Sequence, residues 1–129
     1  MKIVISAKGS KTVQKEIDAA LSPKLYGKKI GDKIEGSDIG LEGYEFQITG
    51  GSDLSGFPMR SDVTGTLRKR IFTTRSLGVH LDRRGTKVRK SVAGNTVFEK
   101  TAQINAIVTK QGKEPLVAPE APAEAAAAA

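Results

Sequence analysis

Apolar positions along the chain come in short, separated groups, and most of them alternate with polar ones. Lys2 to Ala7 is a brief β-branched run closed by Gly9-Ser10, and it reads as a buried strand. From Lys11 onward two patterns compete. Val13, Ile17, Ala20 and Leu21 keep helical spacing, whereas Val13, Lys15 and Ile17 share one face of a strand. Ser22-Pro23 is a helix entry, with Ser as cap and Pro at the first helical position, and Gly27 stops that helix after about one turn. Glycines at 31, 36, 40 and 43 leave no room for a long helix. Tyr44, Phe46 and Ile48 then face one way, and Glu45, Gln47 and Thr49 the other, which predicts a half-buried strand. Gly50 to Asp53 and Ser55 to Pro58 read as a turn-rich loop. Further β-like stretches run from Val63 to Thr73, near Val79, from Val88 to Val92, around Val97 and from Ile104 to Thr109. Many short strands separated by glycine turns predict a mainly β fold, a small barrel or sandwich.

The pattern stops near Lys113. Residues 115–129 are rich in Pro and Ala, carry two Glu and no aromatics, and cannot bury a core of their own. The expected organisation is therefore one domain over residues 1–113 and a disordered Pro/Ala-rich tail over residues 114–129.

Composition narrows the class. With 129 residues, 38% of them hydrophobic, 5% aromatic and no Trp, the core must come mainly from Ile, Val, Leu and Ala. The absence of Cys excludes a disulfide framework, thiolate metal ligation and a cysteine nucleophile. No run approaches the roughly 20 apolar residues of a membrane span, and the first apolar stretch is too short for a signal peptide. A cytoplasmic address is the default expectation.

Charge changes the picture most. The chain carries a net +7, which calls for an anionic partner. The excess is concentrated between Leu67 and Lys90. Arg68, Lys69, Arg70, Arg75, Arg83, Arg84, Lys87, Arg89 and Lys90 stand there against one acid, Asp82, whereas the rest of the chain is nearly neutral. Ordinary surfaces intersperse their charges, so such a block marks a binding surface. Arg68 and Arg70 fall on one face of a strand and Lys69 and Ile71 on the other. Arg83 to Lys87 reads as a basic turn, and Val88 to Val92 as the strand leaving it. Arg supplies paired donors to phosphate and Lys a mobile point charge. Phe72 is the segment's only aromatic, so phosphate and shape recognition are expected, rather than base reading along a single strand.

The loop ITGGSDLSGFPM (residues 48–59) joins this picture. Its Gly50, Gly51, Asp53, Gly56, Pro58 and Met59 fit a structural reading in which paired glycines permit positive φ, Asp53 caps a turn and Pro58 fixes the exit. A phosphate-binding P-loop would need Gly-Lys-Ser/Thr, but Phe57-Pro58 follows Gly56. These six residues resemble, without mismatch, the signature loop of the archaeal and eukaryotic small-subunit ribosomal protein family S6e. Arg83 to Val92 with Gly94 is similar to that family's basic stretch ending in Arg-Lys-Ser-Val-x-Gly. Both motifs come in order, and the resemblance covers roughly residues 1–113.

The resemblance implies a small antiparallel β-barrel with one short helix near residues 19–26, and it favours a strand over residues 11–17. It implies a ribosome-bound, cytoplasmic protein whose partners are small-subunit ribosomal RNA and neighbouring ribosomal proteins. Neither a cofactor nor a small-molecule substrate is expected, and no membrane. Eukaryotic members carry a long basic C-terminal helix with a phosphorylated serine cluster. Here no serine follows Ser91, so the chain looks like the short archaeal form.

An enzyme would need clustered chemistry. The single His80 sits in a basic run, and Asp53, Asp62 and Asp82 are isolated in sequence. No nucleophile elbow or dinucleotide fingerprint appears. The alternative readings are a non-ribosomal nucleic-acid chaperone or DNA-packaging protein and, more remotely, a small nuclease. A membrane-surface role fails because the basic residues do not fall on an amphipathic helix.

Overall fold

The computed structural model describes residues 1–7, 12–112 and 116. Among these described residues seven strands form: β1 (Lys2–Ser6), β2 (Thr12–Glu16), β3 (Lys33–Glu35), β4 (Glu45–Asp53), β5 (Lys69–Thr73), β6 (Val88–Val92) and β7 (Thr101–Lys110). Two single turns of 3-10 helix, Ser22–Leu25 and Gly36–Ile39, flank β3. The two patterns that compete over residues 11–17 resolve to strand β2 at Thr12–Glu16; Lys11 and the Gly9-Ser10 turn lie outside the described residues. The short helix starts at Ser22 with Pro23 in its first turn, but Leu21 occupies the cap position. The Ser22 hydroxyl instead donates back to the Asp18 carbonyl at 3.0 Å.

Five strands build one sheet in the order β2-β1-β7-β4-β3. All neighbours are antiparallel except β1 and β7, which run parallel. The register aligns apolar residues in rows across the sheet: Ile34, Phe46 and Val108 in one, Ile48, Ala106 and Ile5 in the next, Ile104 and Ile3 beyond. All of these are buried. Period-two alternation sends them to one face, where Leu25, Ile39, Met59, Ala93 and Val97 close over them. Tyr44 and Phe46 stack nearly parallel, with centroids 5.7 Å apart.

The expected closed barrel is not formed. Strands β2 and β3 are the free ends of the sheet and do not pair with each other. β3 has only three residues, cut off by Gly31 and the Gly36–Ile39 turn, so it offers too little edge for closure. Residues 27–30 hydrogen-bond instead to residues 95–97, through Gly27 N–H to Val97, Val97 N–H to Lys28, and Ile30 N–H to Asn95.

Three other expectations are corrected. The strand foreseen over Val63–Thr73 begins only at Lys69, because Gly65 turns the chain at φ +103°. β4 does not end at Thr49 but runs on to Asp53, through the residues read as turn. The stretches near Val79 and Val97 contribute only isolated bridges. The expected tail lies outside the described residues, save Leu116, which packs half-buried against the core.

Candidate nucleic-acid interface

Strands β5 and β6 form a separate two-stranded sheet. An isolated hairpin is marginal in water, so its anchorage decides whether it presents a fixed surface. The signature loop supplies that anchorage at both ends.

Within β4, Gly51 lies against β7. A Cβ placed there would sit 2.3 Å from the Gln103 carbonyl oxygen and 3.0 Å from the Met59 sulfur. Neither Gly50 nor Gly51 has positive φ, so Gly51 is required by close backbone approach and not by turn geometry. Gly56 does make the turn, at φ +82°, its N–H donating to the Asp53 carbonyl at 2.8 Å. The chain then folds back. Met59 N–H donates to Gly51 O at 3.0 Å, and Ala93 N–H donates to Pro58 O at 2.9 Å. Pro58 and Met59 thereby catch the chain as it leaves β6.

Asp53 fastens the other end. Its side chain is 1% exposed. One carboxylate oxygen accepts the Leu54 N–H at 2.6 Å. The other accepts Arg68 Nε at 2.5 Å, one residue before β5. Arg68 also donates to the Ser55 hydroxyl at 2.7 Å, and its guanidinium lies 4.9 Å from the centre of the Phe57 ring. The signature loop and the basic segment are therefore one physical unit, joined by the half-buried Asp53–Arg68 ion pair at the start of β5 and by Pro58 and Met59 at the end of β6.

A further anchor was missed in sequence. Arg60, directly after Met59, forms a bidentate pair with Asp62, at 2.8 and 2.6 Å. It also donates to the Ser76 hydroxyl and the Leu77 carbonyl, tying the loop beyond β5 to the signature. The hydrogen bonds from Arg60 hold the Asp62 carboxyl below its ordinary value. The available signal was the Arg-x-Asp spacing that follows Pro58-Met59.

The nine predicted cations divide accordingly. Arg68 is structural. Lys69 donates to the Thr64 carbonyl at 3.2 Å. Arg70 and Arg89 lie on one face of the hairpin with Phe72, and Lys87 reaches the same ring. Lys90 lies on the opposite face, across from Ile71. Arg75, Arg83 and Arg84 occupy the loop joining β5 to β6. All nine residues are exposed, and among the described residues only Arg68 is in an ion pair.

The register also keeps the cations apart. Lys69 faces Val92, Arg70 faces Ser91, Ile71 faces Lys90 and Phe72 faces Arg89. Each strand cation thus opposes a neutral residue, which avoids the penalty of like charges directly across a ladder. The stagger lowers, without abolishing, the repulsion within this concentrated positive surface. His80 is exposed, and among the described residues no group of His, Asp and Glu converges as a metal site.

Comparison with known proteins agrees with this geometry. The family model of ribosomal protein S6e matches residues 1–119. The small ribosomal subunit protein eS6 of Nanoarchaeum equitans is 47% identical over 116 residues, covering 89% of this chain and 85% of that protein. The proteins of the same name from Methanothermobacter thermautotrophicus and Archaeoglobus fulgidus are 45% and 41% identical, each over 89% of this chain and at least 90% of their own length. The signature loop, the basic hairpin clamped to it and a match along nearly the whole chain make this protein a member of the ribosomal protein S6e family.

Proposed function

We propose that this protein is a structural constituent of the small ribosomal subunit, bound in the cytoplasm to ribosomal RNA and neighbouring ribosomal proteins, and that the β5–β6 hairpin is its RNA-docking surface. The family is structural and takes part in translation, so no catalytic role is assigned. The match does not support a free-standing nucleic-acid chaperone.

One observation carries the docking assignment. Eight exposed cations of the hairpin and its loop have no carboxylate partner among the described residues. Charges held together without counterions repel, and phosphates relieve that repulsion while releasing condensed counterions. Arg70, Arg75, Arg83, Arg84, Lys87, Arg89 and Lys90 meet phosphates. Lys69 contributes charge from the edge. Arg68, with Asp53 and the signature loop, positions the rest. The domain that carries this surface is taken as residues 1–113.

The test is subunit incorporation. Replacing Arg83, Arg84, Arg89 and Lys90 together by Ala should remove the protein from sedimenting small subunits while leaving its circular dichroism and melting temperature unchanged. Normal incorporation of that variant would refute the assignment of these residues.

A further inference from the structure

Phe72 is the one aromatic of the basic segment, and the hairpin turns it outward. Its exposure is 62%. The opposite face carries Ile71, Thr73, Val88 and Val92, all buried or half-buried, together with the exposed Lys69 and Lys90. A one-residue shift of pattern would exchange the faces and bury the ring. Leaving an aromatic ring in water forfeits burial energy, and a partner that covered this Phe in the middle of a charged strand would recover it.

The neighbours specify its chemistry. Arg89 lies directly across the ladder, its guanidinium carbon 6.0 Å from the ring centre. The Lys87 ammonium is also 6.0 Å from that centre. Arg70 lies two residues back on the same face. An apolar pocket on a protein partner would have to strip water from these cations without compensation. A nucleotide would not. It offers a flat π-face to the ring and a phosphate to the cations on the same side.

We propose that Phe72 is a stacking platform for a single unpaired nucleotide, whose base lies on the ring and whose flanking phosphates meet Arg70, Lys87 and Arg89. This rests on the docking reading above and adds to it. The hairpin reads backbone charge everywhere and accepts a splayed-out base at one place, so it prefers RNA with a bulge or loop over continuous duplex.

The experiment uses the full chain and two probes: a single-stranded oligouridine of about a dozen nucleotides and a blunt RNA duplex of matching charge. Binding is followed by fluorescence anisotropy at fixed salt. Phe72→Leu should weaken oligouridine binding by about tenfold and duplex binding by less than about twofold. Phe72→Trp should restore the single-strand affinity, and all three proteins should melt alike. Equal weakening of both probes, or of neither, would overturn the platform. If Phe72→Leu left both affinities intact yet blocked subunit incorporation, the ring would sit in a protein pocket and the proposal would be wrong. Wild-type binding to neither probe, or binding indifferent to salt, would overturn the docking reading itself and the platform with it.

Discussion

Removal of the Arg68 guanidinium should cost stability, not only RNA affinity. In Arg68→Ala the Asp53 carboxylate stays buried, keeps the Leu54 N–H and loses the only cation paired with it among the described residues. Breaking a fully buried pair by deleting one partner costs about 3–5 kcal/mol. Arg68 keeps 42% of its side chain in solvent, so water reaches the vacated place and the expected loss falls to about 2 kcal/mol. For a domain of this size that lowers the melting temperature by about 8 °C. Asp53→Asn keeps an acceptor for Leu54 and removes the charge, and should cost about 1 kcal/mol. In the Asp53→Asn background, Arg68→Ala should then cost little, because no buried charge is left stranded. Urea unfolding followed by circular dichroism over this double-mutant cycle should give a coupling of about 1.5 kcal/mol. Arg70→Ala, which removes an exposed and unpaired cation, is the control, expected within about 0.5 kcal/mol of wild type. If Arg68→Ala were as harmless as Arg70→Ala, the clamp would be wrong and Arg68 would belong with the phosphate contacts.

Further outcomes follow from single contacts. Gly51→Ala should destabilise by about 2–3 kcal/mol in urea unfolding, because its methyl group meets the Gln103 carbonyl; Gly50→Ala, with nothing within 4 Å of its Cβ, should be nearly neutral. The Asp62 carboxyl is held below its ordinary value by Arg60, so its stabilising contribution is full above the unfolded value of 3.8 and fades as pH falls through the lower folded value. Asp62→Asn should therefore flatten the acid limb of stability against pH and leave the neutral limb parallel to wild type. With the seven assigned cations on phosphate, binding of a ribosomal RNA fragment should show a log–log salt slope of about −5 to −6; the variant with Ala at 83, 84, 89 and 90 should lose about 3 of it. An unchanged slope would place the phosphate contacts elsewhere.

What could be read from sequence was whatever depends on local pattern. The alternation of Tyr44, Phe46 and Ile48 located β4, Lys2–Ala7 located β1, and Ile104–Thr109 located β7. The nine cations of the charge block are all exposed, on the hairpin, in its loop or just before it, although Arg68 is tied to Asp53. Pairing over long separations was not legible. Nothing local says that β1 runs parallel to β7, or that the edges β2 and β3 stay apart and leave the barrel open. The glycine pair misled because two adjacent glycines look like a turn, whereas Gly51 answers to a backbone more than 50 residues away. Asp53 and Arg68 looked unrelated for the same reason, being separated by 15 residues that include two turns.

The clamp explains why a structural protein would carry so specific a loop far from its cations in sequence. A two-stranded ribbon bearing this much like charge gains little from its own ladder, and repulsion between its cations works against the folded pairing. The core sheet cannot help directly, since its edges β2 and β3 lie elsewhere in the strand order. The extension of β4 supplies the missing support. Asp53 puts one negative charge under the start of β5, and Pro58 and Met59 bond the chain just past the end of β6. Charge display and signature loop are thus thermodynamically coupled. Weakening Asp53 should lower RNA affinity without touching any phosphate contact, through a larger entropy cost of ordering the ribbon on binding. Isothermal calorimetry of Asp53→Asn against wild type on the same RNA fragment should show that loss in the entropy, with an unaltered salt slope. A reduced slope would mean instead that the loop itself touches the nucleic acid.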